Sequence, residues 1–263
     1  MPETDLVLLV EAARQSGDIA KRYFQQDPDV TDKPGGAGPV TAADLAVNDM
    51  LEGVLRDARP DYGWLSEETE DTTARLETRR QFIVDPIDGT RAFIDGSKDW
   101  AHSLAITEDG VPVAAAVYLP MRDMMFAAMK GAGATLNGAP IKATTAPMAE
   151  ATLLGARPNF EGRFWKGGMQ PPIKRAFRSS LAYRLCLVAQ GRFDGMITLR
   201  PSWEWDIAAG ALIVEESQAS VTDQNGMGLQ FNNKYPQVPG VLAAGSGLHS
   251  DLLARLEPQQ PNP

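Results

Sequence analysis

The chain is short of the residues that build soft metal sites and thiol chemistry: among 263 residues there is one cysteine, Cys186, and two histidines, His102 and His249. One cysteine excludes an intrachain disulfide. It lies in the apolar run SLAYRLCLVAQG with no histidine beside it, so it reads as a buried helix position rather than a nucleophile. His102 reads as a satisfied strand residue and His249 as a surface helix residue. Basic charge is also in deficit, with Lys plus Arg at 25 against Asp plus Glu at 34, a net charge of −9. That argues against a nucleic-acid polymer as partner, because such binding needs a basic stripe to displace counterions. Nor is there a long hydrophobic run. The apolar LVLLV at Leu6 to Val10 is flanked by Glu3, Asp5 and Glu11, too short and too acidic in its surroundings for a leader or a membrane span. The chain reads as cytoplasmic, with no membrane partner. Only the polar, proline-rich tail from Glu257 is expected to hang loose.

What is present alternates helical and strand patterns without a regular βαβ repeat. Leu6, Leu9, Val10, Ala13, Gly17, Ala20 and Phe24 recur at helical spacing behind Thr4 as N-cap, which predicts a helix over 4–25. The glycines and prolines of DKPGGAGPVT at 32–41 predict a loop able to serve as a lid, with a second helix after Thr41. QFIVD at 81–85 reads as a buried strand ending in a carboxylate, and 102–120 as a hairpin turning at Asp109-Gly110. A further strand and Gly-rich turn follow in MMFAAMKGAGATLNG, then a helix over 180–191, a strand at GMITL, a helix after Asp206, a strand at 241–245 and a closing helix at 248–256. The expected fold class is α/β (α+β), with an N-terminal half over 1–145 and a C-terminal half over 146–263 sharing a cleft.

Four elements carry chemistry: VTAAD at 40–44, LSEET at 65–69, VDPIDGT at 84–90 and EWDIAAG at 204–210. All offer oxygen ligands or a hydroxyl and none a thiol or imidazole, which favours a hard cation such as Mg²⁺. An acidic chain that handles an anionic substrate must also reverse the local field, and bound divalent cations are the simplest way to do so. Pro86 stops regular structure between Asp85 and Asp88, so a bend there can aim both carboxylates, and the Ile87 carbonyl, into one site. Gly89 lets the backbone approach closely, and the N–H groups of Gly89 and Thr90 could then bind phosphate oxygens. A plain surface turn is the bland alternative. A calcium loop of the EF-hand type is excluded by spacing, since its closing glutamate would fall at Gly96. An Asp-x-Asp phosphatase motif needs one residue between the aspartates, and here there are two.

VDPIDGT, with LSEE upstream and WDIAAG downstream, closely resembles the signatures of the inositol monophosphatase family of lithium-sensitive, Mg²⁺-dependent phosphatases. The resemblance covers nearly the whole chain. It implies a layered αβαβα sandwich with metals between two packed halves, and direct attack of an activated water on phosphorus without a phosphoenzyme. By position it implies Glu67, Asp85, Ile87 (through its carbonyl), Asp88 and Asp206 as metal ligands, with Glu67 also holding the water. Thr90 paired with Asp44 resembles the couple that activates that water. Homodimers are frequent in the family.

Two branches of the family compete over substrate. PVTAAD, LSEE and Pro201 with Glu204 resemble the 3′(2′),5′-bisphosphate nucleotidases, which act on 3′-phosphoadenosine 5′-phosphate. Leu199 stands where inositol enzymes usually carry a glutamate for sugar hydroxyls. Ala182, where nucleotidases often have lysine, and GATLNG at 133–138 point to the inositol branch. The nucleotidase branch is preferred, with an inositol-1-phosphate phosphatase as alternative and a phosphatase-like regulatory binding protein as the reading from another class. Arg184 and Arg200 are candidate contacts for a second phosphate or the base, against the alternative of exposed solubilising charge. Trp203 and Trp205 are candidates for stacking on adenine, although Trp205 also reads as core.

Overall fold

The computed structural model describes residues 2–26, 30–32 and 38–258. Helix α1, Pro2–Tyr23, buries Leu9, Ala12, Ala13, Ser16 and Ala20, one face at helical spacing. It starts ahead of Thr4, so that residue is not the cap the sequence suggested. Short strands β1, Val30–Asp32, and β2, Pro39–Thr41, pair antiparallel. The expected lid thus ends in strand at Pro39, and its residues 33–37 lie outside the described residues. Helix α2, Ala42–Ala58, starts in a capping box, in which Thr41 accepts from the Ala43 and Asp44 N–H groups while Asp44 accepts from Thr41 N–H at 2.8 Å.

Next come β3, Gly63–Ser66; β4, Arg80–Asp88; helix α3, Thr90–Ile94; β5, Ala101–Glu108; β6, Val111–Leu119; β7, Met124–Met129; β8, Gly133–Leu136; and β9, Ala139–Pro140. These strands form a seven-stranded sheet in the order β3-β4-β5-β6-β7-β8-β9, antiparallel except for β3 beside β4. The β5–β6 hairpin turns at Asp109 (φ 51°) and Gly110 (φ 77°), the left-handed pair that a two-residue turn requires. The C-terminal part contains β10, Thr152–Leu154; β11, Lys174–Ala176; helix α4, Leu181–Ala189; β12, Gly195–Thr198; β13, Ser202–Trp203; helix α5, Glu204–Glu216; β14, Ala219–Thr222; β15, Gln237–Val238; β16, Val241–Gly245; and helix α6, Ser246–Arg255. Five of these strands form a second sheet, β11-β10-β12-β16-β14, and β13 pairs with β15.

The cores define the layers. On one face of the large sheet, α1 and α2 pack over Phe82, Val84, Leu104, Ile106 and Tyr118. On its other face a continuous core joins Ile83, Ala105 and Val117 to α4, α5 and the second sheet through Leu154, Met196 and Ala243. α4 is buried along its whole length and α5 from Ile207 to Val214, as helices held between two sheets must be. The outer face of the second sheet packs Leu153, Ile197 and Leu242 against α6 and Trp165. The result is a helix–sheet–helix–sheet–helix sandwich, as expected from the sequence.

Two local expectations are corrected. His249 is buried, 6% exposed, and its Nε2 lies 2.9 Å from Thr222 Oγ1, because α6 lays this face on β14 and β16. Glu257 is tied down by its N–H donating to the Phe164 carbonyl at 2.9 Å, so the tail is not loose from that residue, while 259–263 lie outside the described residues.

Candidate active site

Three routes bring acids to one place. Glu67 follows β3, fixed by its N–H donating to the Val84 carbonyl across the parallel pair. Asp85 stands near the end of β4, and Asp206 in the first turn of α5. One carboxylate oxygen from each lies within 4.8 Å of the others, a group able to hold a metal ion. Asp85 is 1% exposed, and neither of its oxygens has a hydrogen-bond partner among the described residues. Burial, and then the charges of Glu67 and Asp88, push the Asp85 carboxyl well above the ordinary carboxylate range. Asp206 is raised likewise by burial, Asp88 and Glu67. The closeness of Asp85 and Asp206 becomes a hydrogen bond only when one of them carries a proton. Both buried oxygens of Asp85 lack a donor and every side-chain donor atom is oxygen, so these residues fit a hard divalent cation.

Asp88 is the expected ligand that falls outside this group of three. Its Oδ2 accepts from Ser180 Oγ at 2.5 Å and from Ala182 N–H at 2.6 Å, at the start of α4. Burial raises its pKa to about 6, opposed by the Ser180, Ala182 and Leu181 donors and by Arg184. Asp88 therefore ties the end of β4 to α4, with its charge coupled to Asp85 and Asp206. Between Asp85 and Asp88 the register shifts, because Pro86 and Ile87 oppose one residue of β5. Gly89 then takes φ 97°, and a Cβ there would stand 3.3 Å from the Asp99 carbonyl. As N-cap of α3 it has no side chain capping the helix start.

Thr90 Oγ1 lies 3.3 Å from Asp44 Oδ1 and 3.2 Å from the Ile87 carbonyl, so its single proton has two acceptors. Asp44 Oδ2 is engaged by Thr41, through N–H at 2.8 Å and Oγ1 at 2.6 Å. The capping box of α2 thus aims the carboxylate that meets Thr90.

The two arginines differ. Arg184 is buried, with Nε donating to the Arg178 carbonyl at 2.5 Å, Nη2 to the Ser179 carbonyl at 3.1 Å, and its guanidinium 4.4 Å from the Phe177 ring centroid. Burial lowers its pKa to about 10. The alternative of exposed solubilising charge is corrected for Arg184: it braces the loop before α4. Arg200 is exposed and shares the field of Arg184 and Asp206. Trp203 and Trp205 stack on each other, with centroids 4.7 Å apart and planes at 8°, and the exposed Tyr235 lies 5.5 Å from Trp203. Leu199 belongs to the outer core of the second sheet.

Two buried charged residues that brace the surrounding structure were not read from the sequence. Glu204, taken there as a branch marker, is fully buried and accepts from Asn232 N–H, Asn233 N–H and Asn233 Nδ2 at 2.7–2.9 Å. Arg75, itself buried, donates to Asn232 Oδ1, the Asn233 carbonyl and Asp71, which ties the segment between β3 and β4 to the segment between β14 and β15. Neither shows its tie to the 232–233 segment locally, since those partners lie 28 or more residues away in sequence, whereas the Arg75–Asp71 pair is four residues apart. Ser180 ahead of an apolar run is a legible N-cap, but its bond to Asp88 is tertiary.

The carboxylates of Glu67, Asp85 and Asp206, a group able to hold a metal ion, make this the candidate active site. Residues 1–260 match the model of the inositol monophosphatase family, and the chain belongs to that family. It is 34% identical over 272 residues to the histidinol-phosphatase of Mycobacterium tuberculosis, covering 97% of this chain and 99% of that protein. It is 32% identical over 232 residues to the Nus factor SuhB of Escherichia coli, covering 84% and 85%. An inositol monophosphatase from Thermotoga maritima superposes with TM-score 0.81 at 27% identity, covering 97% of this chain and 96% of that one.

Proposed function

We propose that the protein is a Mg²⁺-dependent phosphomonoesterase acting on a small organic phosphate, with Glu67, Asp85, Asp88, Asp206 and the Ile87 carbonyl as the cation's ligands. The observation that carries this is the pair of buried, unpartnered Asp85 oxygens beside two further acids. Such a cluster either takes up protons or holds a cation. When bound, Mg²⁺ would supply neutralisation of the phosphoryl charge and a lowered pKa for water. Asp44 accepts the Thr90 proton, which leaves the Thr90 oxygen free to accept from the attacking water. Glu67 orients that water, and the N–H groups of Gly89 and Thr90 bind phosphoryl oxygens at an uncapped helix start. Most of the acceleration then comes from alignment and charge compensation.

For the substrate we favour a phosphate ester that carries a planar ring, with 3′-phosphoadenosine 5′-phosphate as the leading candidate. Support comes from the Trp203–Trp205 stack with Tyr235 beside the start of α5, and from exposed Arg200 near it. Leu199, in the core, brings no carboxylate for sugar hydroxyls. The relatives reported above are not named as nucleotidases, and the M. tuberculosis name makes histidinol phosphate, whose imidazole is also planar, the next compound to try. The name Nus factor SuhB favours a second reading, a regulatory binding role alongside a competent site.

The test is phosphate release with Mg²⁺ from 3′-phosphoadenosine 5′-phosphate, histidinol phosphate and inositol 1-phosphate, each with and without Li⁺. Preference for the nucleotide, with inhibition by Li⁺, is expected. Preference for inositol phosphate overturns the planar-ring reading, and no release from any of the three turns attention to the binding role.

A further inference from the structure

His102 lies opposite the β4 irregularity that separates the acids. The register runs Asp85 to Ser103 and Asp88 to Ala101, so Pro86 and Ile87 on β4 face His102 alone on β5. An extra residue of this kind loosens the ladder and needs another interaction to fix its shape. His102 supplies one: its Nδ1 lies 2.5 Å from the Pro86 carbonyl. A carbonyl only accepts, so Nδ1 carries the proton. The ring is fully buried against Trp100 and Tyr118, and its Nε2 has no partner among the described residues, which makes the Pro86 bond its one polar attachment. The next residue works on the opposite face of the sheet, as strand alternation demands. Ser103 Oγ donates to the Trp205 carbonyl at 3.0 Å, one residue before Asp206.

From this geometry we infer that His102 is a positioning residue for the metal site: its Nδ1–H holds the Pro86 carbonyl and thereby sets how Asp85, the Ile87 carbonyl and Asp88 are presented to the cation. This rests on the cation reading of the acidic cluster. Consecutive residues of β5 then register both walls of the site, His102 the bend of β4 and Ser103 the start of α5.

The experiment is calorimetric titration of the purified full-length protein with Mg²⁺ alone, comparing wild type, His102→Leu, His102→Asn and Asp85→Asn, with thermal unfolding in EDTA to verify folding. Outer-shell partners of metal ligands typically change affinity by about 10–100-fold. His102→Leu, near in volume but without a donor, is expected to weaken Mg²⁺ binding at least about tenfold. His102→Asn places an amide nitrogen close to the Nδ1 position and is expected to recover most of the loss. The inference is overturned if His102→Leu binds as wild type does, or if Leu and Asn weaken binding equally, which would show packing alone to matter. If His102→Leu does not fold, His102→Met, flexible and donor-free, replaces it under the same criteria. Asp85→Asn separates the two levels. Undiminished binding in that variant overturns the cation reading itself, whereas its loss beside a normal His102→Leu overturns only the role of His102.

Discussion

Asp85 opposes folding and, on the proposed function, serves the cation site, and the two effects separate by mutation. Its carboxylate is buried beside Glu67 and Asp206 without a donor among the described residues, an arrangement that disfavours its charge. Asp85→Asn removes one of the mutually repelling charges and keeps the shape. We expect phosphate release to fall by at least about 10³-fold, equivalent to about 4 kcal/mol of lost transition-state stabilisation. In EDTA the same variant should unfold at a higher temperature than wild type, by an amount corresponding to about 1–2 kcal/mol. Loss of both activity and metal-free stability would instead mark Asp85 as structural. The contrast with Asp88 is physical: its Oδ2 is satisfied by Ser180 and Ala182, and Asp85 has no such donors. That difference is invisible in VDPIDGT, where the two aspartates read alike. The motif made the residue types legible, and only the chain folding back at residue 180 distinguished their environments.

At the scale of elements, the site depends on how closely α4 and α5 approach. Asp206 rides on α5 and the partner of Asp88 on α4, so the spacing of these helices sets the separation of the acids. Gly210 permits the contact: a Cβ there would stand 2.6 Å from Leu185 Cδ1 and 2.7 Å from Leu185 Cβ. Gly210→Val should therefore destabilise by about 1–3 kcal/mol through overpacking and lower kcat by misplacing Asp206, checked by denaturant unfolding and steady-state rates. An unchanged stability would mean that the helices shift freely. The β5–β6 hairpin, both buried helices and the closing strand were legible from periodicity and from Asp109-Gly110. The short strands β10, β11, β13 and β15 were not, because strands of two or three residues form only when neighbouring backbone supplies their hydrogen bonds.

At the scale of the whole molecule, a cation bound as proposed would compete with protons for the same cluster. Asp85 and Asp206 have folded-state pKa values above those of unfolded carboxylates, so the folded chain holds protons more tightly. The stability they contribute is present below the unfolded pKa and is lost as pH rises through the raised folded values. His102 acts in the opposite sense: held neutral with a pKa of about 4, it contributes stability above 6.5 that is lost as pH falls toward 4. A saturating cation held by these carboxylates would remove their penalty. Mg²⁺ at about 100 times its dissociation constant near about pH 8 should stabilise by about 2.7 kcal/mol, raising Tm by about 5–10 °C, and the same concentration should give a smaller gain near about pH 6, where protons compete and the dissociation constant is larger. Differential scanning calorimetry with Mg²⁺ and with EDTA at both pH values checks this, and a gain that shrinks toward high pH would contradict it. By itself the sequence determined the helical and strand periodicities, the oxygen-only character of the acids and the family, all of which reside in local pattern and residue type. Only the tertiary structure decided that Asp88 braces α4, that Arg184 holds a loop, that Glu204 and Arg75 clasp the 232–233 segment, and that His102 faces the bend of β4. Each of these depends on burial and on partners distant in sequence, which hydrophobic period and motif spacing do not encode.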